Sequence, residues 1–415
     1  MSYVILEVGL ALGIITVAGH LANRLKFSIV PILIVAGIIV GPHAPQIGVF
    51  DFRFIASAPL IDFMGRLGVI FLLFYLGLEF SVGRLLKAGR SIFIGGTIYM
   101  LINFSLGLLL PWLWGWPPRE ILVVAGIICI SSSAIVAKVL VDLKRAARPE
   151  TEMILGLMMY QDVFVAIYLS IVSGLVLTGA TSTPGVLKSA AVALGFMVGV
   201  LLLGRRLVKH LNRWLNIPSD EVFMLAVFGA LIFVAGFSET IHVAEAIGAL
   251  LVGLVLAETE HLDRIEHLVV PFRDFFGAMF FFSFGLSIDP LGLGGAVWPA
   301  LIAVVVTILG NFAAGLLAGK SAGLSPMGRT NVGLTIVSRG EFSIILANLA
   351  KAGGLLPAVQ SFAALYVLIL AITGPLLTKE SKWIYNRLCP VFKWPKLTSK
   401  TRGKKVPRSE VVPSK

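Results

Sequence analysis

Charge is scarce in this chain. Of 415 residues, 13% are Asp, Glu, Lys or Arg and 57% are hydrophobic, and the mean hydropathy is +0.95. A soluble protein of this length needs far more polar surface, so that class is excluded. Cysteine is nearly absent: Cys129 falls in an apolar run and Cys389 in the C-terminal tail, which excludes a disulfide framework. The six histidines show no metal-ligand spacing. The first 20 residues contain Glu7 but no Lys or Arg, unlike a cleaved signal peptide, so the first segment is expected to stay as a helix.

What remains is a succession of apolar runs of the length a membrane-spanning helix needs, roughly 20 residues. Thirteen spans are predicted, centred near residues 12, 34, 70, 102, 131, 164, 196, 230, 250, 281, 308, 340 and 367. The net charge of +12 is not a nucleic-acid footprint, because its distribution follows the spans. Basic residues crowd every second connection: Arg24 and Lys26, then Arg84, Lys87 and Arg90, then Lys144, Arg145 and Arg148. Arg205, Arg206, Lys209 and Arg213 continue the series, followed by Arg264 and Arg273, then Lys320 and Arg329. The positive-inside rule then places the N-terminus outside and the C-terminus in the cytoplasm, in a multi-pass protein of the cell membrane. The expected division is a membrane domain over 1–380 and a basic cytoplasmic tail over 381–415. That tail is short and proline-punctuated, and reads as an extension lying on anionic lipid.

The spans repeat. NFSLGLLL from Asn103 matches NFAAGLLA from Asn311, and FYLGLEF matches FSFGLSI through Gly77 and Gly285, both pairs 208 positions apart. VAGIIVGP resembles LVGLVLAE, with Gly37 and Gly253 216 positions apart. Matching segments lie seven spans apart, an odd number, so the copies face opposite ways. Inverted repeats are a common construction of secondary transporters, whose substrate sites lie near the midplane between copies. Span five reads ILVVAGIICISSSAIVAKVLVD, and its counterpart reads RTNVGLTIVSRGEFSIILANL. Ser131 and Ser132 map onto Arg339 and Gly340, so polar interruptions fall at equivalent depths. Both helices are expected to unwind there and cross.

Asp162, in MMYQDVFVAIYL, lies ten residues beyond Glu152. At 1.5 Å per residue that is about 15 Å deep, the middle of a core about 30 Å thick. Its repeat counterpart is Leu370, so the scaffold does not require the acid. A carboxylate there costs at least about 2.5 kcal/mol unless it is protonated, paired or reached by water. An adjacent cation favours its ionised form, so the residue can hold a proton or a cation but not both comfortably. That competition is the minimal chemistry of an antiporter. Gln161, Ser131, Ser132 and Ser133, with carbonyls at the ends of the half-helices, are the candidate oxygen ligands, and oxygen suits alkali cations. Arg339 and Glu341 are read as an ion pair that neutralises the partial charges at the broken helix ends.

GVIFLLFYLGLEFSVGRL, CISSSAIVAKVL, MMYQDVFVAI, PFRDFFGAMFFFSFGLSID and SRGEFSII together resemble the monovalent cation:proton antiporter-2 family, and most of all the membrane domain of Kef-type potassium/proton antiporters. The resemblance spans about residues 5–380. It implies the all-α sodium/proton antiporter fold and a homodimer of thirteen-helix protomers. In each, a core (about 60–177 and 271–378) moves against a dimerisation part built from the remaining helices. No enzyme activity and no cofactor are implied beyond the transported K+ (or Na+) and H+. The Gln161-Asp162 pair, and a tenth span with no basic residue, imply electroneutral exchange with potassium as the ion. Ser-Arg-Gly-Glu is closer to sodium exchangers, which keeps sodium open. The nucleotide-binding domain typical of Kef proteins is not expected here, so gating by a ligand in cis is unsupported, and a separately encoded cytoplasmic regulatory subunit is a candidate partner. A channel would call for a filter shared between subunits, and a membrane enzyme for a nucleophile–base pair or metal cluster; neither pattern is visible.

Overall fold

The computed structural model describes residues 4–25, 29–44, 53, 55, 58–79, 89–145, 147–178, 183–241, 243–289, 294–392 and 394. In chain order the helices are α1 (Val4–Leu25), α2 (Ile29–Val40), α3 (Ala58–Glu79), α4 (Arg90–Leu113), α5 (Pro118–Cys129), α6 (Ser133–Asp142), α7 (Pro149–Thr178) and α8 (Thr183–Trp214). They continue with α9 (Asp220–Thr240), α10 (Glu245–Leu256), α11 (Leu262–Leu286), α12 (Gly294–Ser321), α13 (Pro326–Thr335), α14 (Glu341–Ala352), α15 (Pro357–Lys379) and α16 (Ser381–Phe392). Local chemistry sets several ends. Pro118, Pro326 and Pro357 open helices where no backbone donor is needed, and Ser325 accepts from the Gly328 N–H.

Eight of the described helices are long and apolar enough to cross a membrane, fewer than the thirteen spans expected. The difference has a physical source. Two expected spans, α5–α6 and α13–α14, are each split into two short helices, and α2 and α10 have 12 residues each. α8 is long, but its C-terminal half is rich in Lys and Arg.

The repeat reappears as paired close contacts. A Cβ on Gly37 would lie 2.3 Å from the Phe282 carbonyl oxygen and 2.9 Å from the Gly285 Cα. A Cβ on Gly253 would lie 2.2 Å from the Phe74 carbonyl oxygen and 2.8 Å from the Gly77 Cα. Since Gly37 matches Gly253 and Gly77 matches Gly285, the α2–α11 and α10–α3 contacts are one contact made twice. Likewise Gly107 packs on Ala125 and Gly315 on Gly333, residues that correspond at the same 208 spacing. Small residues let helix backbones approach where lipid offers no hydrophobic drive.

Two groups of helices result. α3 and α11 pack on each other and on α10 and α2 respectively, and Phe71 of α3 meets Phe228 of α9 at 4.9 Å and Phe276 of α11 at 5.4 Å. α4 packs on α12, α5 and α7; α13 and α15 pack on α12, and α14 packs on α15, α5 and α7. α3 and α11 thus make their closest backbone contacts with α10 and α2. Residues 381–392 form a helix with Tyr385 and Cys389 buried, while the tail beyond Trp394 lies outside the described residues.

Candidate functional site

The helix of span five ends at Cys129, Ile130 is extended, and α6 restarts at Ser133. Its repeat counterpart ends at Thr335 and restarts at Glu341. The two gaps meet. The Ser132 N–H donates to the Ser338 carbonyl at 2.9 Å, and Ser131 Oγ donates to the Ile336 carbonyl at 2.7 Å. Gly340 must be glycine, because a Cβ would lie 2.6 Å from Ser132 Oγ, and these two residues are repeat mates.

Arg339 is 0% exposed and closes the carbonyl ends of both first halves. Its Nε and Nη2 donate to the Ile128 carbonyl at 2.9 and 2.6 Å. Its Nη1 donates to the Ile336 and Val337 carbonyls at 3.1 and 3.0 Å, and to Ser131 Oγ at 3.2 Å. A helix C-terminus carries about −0.5 charge, so two of them match one guanidinium. Glu341 is the first residue of α14 and accepts from Ser132 Oγ at 2.9 Å, beside the start of α6; one carboxylate there matches two positive N-termini. The expected Arg339–Glu341 ion pair is thus replaced: among the described residues no ion pair joins them, and each serves two helix ends.

The carbonyls expected to face a cation face a guanidinium, whose charge repels one. Ser131 Oγ is shared among Tyr99, Ile336 and Arg339, and Ser132 Oγ is taken by Glu341. Gln161 is 1% exposed, and its Oε1 accepts from the Ser131 N–H at 2.8 Å, satisfying a donor that the break leaves over. Ser131, Ser132 and Gln161 thus tie the crossover together by hydrogen bonds. Ser133 and Asp162 are half-buried. Asp162 follows Gln161 on α7, a helix fixed at two levels: by Gln161 at the break, and near its start by Asn331 Nδ2 donating to Glu150 Oε1 at 2.6 Å. Leu370, the counterpart of Asp162, is fully buried in α15.

Sequence reasoning missed the hydroxyls around the guanidinium. Tyr99 Oη lies 2.8 Å from Ser131 Oγ, and Thr307 Oγ1 lies 2.7 Å from Tyr366 Oη. Tyr99 and Thr307 are themselves 208 apart, so extending the repeat by one helical turn from Asn103 and Asn311 would have found them. It also missed a cavity of about 560 Å³ between the two groups of helices, lined by Asp62, Arg66, Glu239, Glu245, Ser283 and Lys351. Arg66 is held by Glu245 at 3.0 and 2.7 Å and by Glu239 at 3.2 Å; Ser283 donates to Asp62 at 2.6 Å. The cavity extends inward to Leu169, two helical turns or about 10 Å along α7 from Asp162.

The family described as "Sodium/hydrogen exchanger, transmembrane" matches residues 10–379. The chain belongs to that family. This exchanger is 64% identical over 394 residues to the K(+)/H(+) antiporter subunit KhtU of Bacillus subtilis, covering 95% of the chain and 97% of the relative. It is 29% identical to the ammonium/H(+) antiporter subunit AmhT of Alkalihalophilus pseudofirmus, covering 91% and 93% respectively. It is also 29% identical to the high-affinity Na(+)/H(+) antiporter NhaS3 of Synechocystis, covering 78% and 71%. The solved sodium proton antiporter MjNhaP1 from Methanocaldococcus jannaschii superposes with a TM-score of 0.67 at 16% identity, over 92% of this chain and 97% of that one, which shows a shared fold. The exchanger is a multi-pass membrane protein and a cation/proton antiporter.

Proposed function

We propose that this exchanger moves potassium against protons, one for one, with Asp162 holding each in turn. The observation that carries the reading is the Gln161–Ser131 bond of 2.8 Å, which sets the residue before Asp162 against the crossover of two broken helices. With Arg339 and Glu341 cancelling the charges of the helix ends, the crossover is neutral by itself. The carboxylate then supplies the charge that a cation or a proton balances, and Ser133, at the start of α6, is the hydroxyl left to assist it. Potassium is favoured because the relative at 64% identity is named for it. The Gln-Asp pair favours electroneutral exchange and membership of the Kef-type group.

Sodium is the second reading, on the same fold, since relatives at 29% identity are named for sodium or ammonium. The thirteen-span arrangement follows if the two broken segments, α2, α8 and α10 all cross. The basic connections then support an outside N-terminus and a cytoplasmic C-terminus in the cell membrane. We assign the moving body to α4–α7 and α12–α16, with α1–α3 and α8–α11 forming the homodimer contact. A separately encoded regulatory subunit is in keeping with the word "subunit" in the KhtU name.

The test uses vesicles carrying a pH gradient, with dequenching followed on addition of potassium, sodium, lithium or rubidium. Wild-type protein collapses the gradient with saturable potassium dependence, at a rate unchanged when an ionophore clamps the potential. Asp162→Asn, reconstituted to the same density, gives no cation-dependent signal. Normal exchange by Asp162→Asn would remove the residue from the mechanism, and a voltage-dependent rate would remove the one-for-one stoichiometry.

A further inference from the structure

The span formed by α15 ends at Lys379, and after Glu380 the chain enters α16. A helix that starts at the end of a membrane span must lie near the lipid–water boundary. One face of α16 is committed to the protein. Ser381 is buried and its Oγ accepts from Arg145 Nη1 at 3.1 Å; Tyr385 and Cys389 are buried; Phe392 meets Phe312 of α12 at 6.4 Å. The opposite face carries Lys382, Trp383 and Arg387. Trp383 is 60% exposed, and the Arg387 guanidinium lies 5.3 Å from its ring centre.

Between that face and the last turns of α15 runs a groove of about 520 Å³, lined by Thr373, Leu376, Leu377, Glu380, Trp383 and Ile384. Four of the six lining side chains are apolar or aromatic, which suits a hydrocarbon chain. Residues 379–387, the stretch that supplies Glu380, Trp383 and Ile384 to the groove, carry Lys379, Lys382 and Arg387 against Glu380, an excess of two positive charges. Tryptophan and arginine at the boundary of a span are the usual anchors at headgroup level. The next 28 residues continue the charge, with Lys393, Lys396, Lys400, Arg402, Lys404, Lys405, Arg408 and Lys415 against Glu410.

We propose that this groove seats one anionic phospholipid, its acyl chain along Leu376, Leu377 and Ile384 and its phosphate at Lys382 and Arg387. An amphipathic basic helix attracts the anionic leaflet electrostatically while its apolar side takes up hydrocarbon. Because α16 is fastened to α12 and α13, the lipid tethers the helices of the crossover to the membrane surface. The site does not depend on Asp162 or on the identity of the transported ion.

The test reads fluorescence instead of flux, so its failure is separable from failure of the transport reading. The full chain is placed in phosphatidylcholine vesicles containing an equal small share of brominated phosphatidylglycerol, phosphatidylethanolamine or phosphatidylcholine. Bromine quenches indole on contact, and subtracting the signal of Trp383→Phe isolates Trp383 from the other six tryptophans. Brominated phosphatidylglycerol is expected to quench Trp383 several times more strongly than the other two. The K382S/R387S variant, altered only at exposed positions, should lose that preference by about fivefold for each cation removed. Equal quenching by all three lipids overturns the proposal, as does an unchanged preference in K382S/R387S protein of wild-type thermal stability. Equal quenching by phosphatidylethanolamine and phosphatidylglycerol overturns its anionic selectivity.

Discussion

The guanidinium of Arg339 serves two helix ends at once, and its removal leaves both uncovered. Arg339→Met would strand the Ile128, Ile336 and Val337 carbonyls and leave the negative ends of two helices uncompensated in the interior. Breaking a buried charge arrangement in this way costs about 3–5 kcal/mol. We expect a large fall in the melting temperature of the detergent-solubilised protein, with lower yield. Arg339→Lys should recover only part, since one ammonium cannot reach both sets of carbonyls that the fork spans. Ser131 gives a finer test of structural against ligand roles. Its hydroxyl bonds Tyr99, Ile336 and Arg339, so Ser131→Ala should cost about 1–3 kcal/mol of stability while changing the half-saturating potassium concentration little. A large loss of potassium affinity at unchanged stability would return Ser131 to the ligand set.

At the scale of elements, the repeat makes a paired prediction. Gly37→Ala and Gly253→Ala each place a methyl group against a backbone carbonyl, 2.3 Å from Phe282 O and 2.2 Å from Phe74 O. Overpacking of this kind costs about 1–3 kcal/mol, and symmetry predicts that thermal unfolding shows similar penalties for both. Unequal penalties would mean that the two contacts are alike in geometry only. The same elements show what a sequence discloses. Both helix breaks were legible because Ser131-Ser132-Ser133 and Ser338-Arg339-Gly340 interrupt apolar runs at matching depths. The use of Arg339 as a cap was not legible, because spacing says where a cation lies and not which carbonyls it reaches. The cavity residues come from two stretches far apart in the chain, Asp62 and Arg66 one turn apart on α3 and Glu239 and Glu245 either side of the α9–α10 turn, and no repeat spacing joins the two stretches. The grouping of α3 and α11 with α2 and α10 followed from glycine contacts whose partners only the folded chain reveals.

At the scale of the whole molecule, two groups of helices flank a cavity, and Gln161, the residue before Asp162 on α7, bonds to the crossover. Movement of one group against the other would expose the Asp162 carboxylate to either side in turn. Such motion transports ions usefully only if the two ligands cannot ride together, since a site that held both would leak. The proposed selectivity for potassium, one-for-one stoichiometry and homodimer all sit on top of that exclusion. The most direct measurement is the half-saturating potassium concentration for proton exchange as a function of pH on both sides of the vesicle. Where Asp162 is mostly protonated, mutual exclusion predicts a rise of about tenfold for each pH unit lowered, with the maximal rate at saturating potassium far less affected. A half-saturating concentration that does not move with pH, in protein that still exchanges, would show that proton and cation occupy separate groups and would contradict the account.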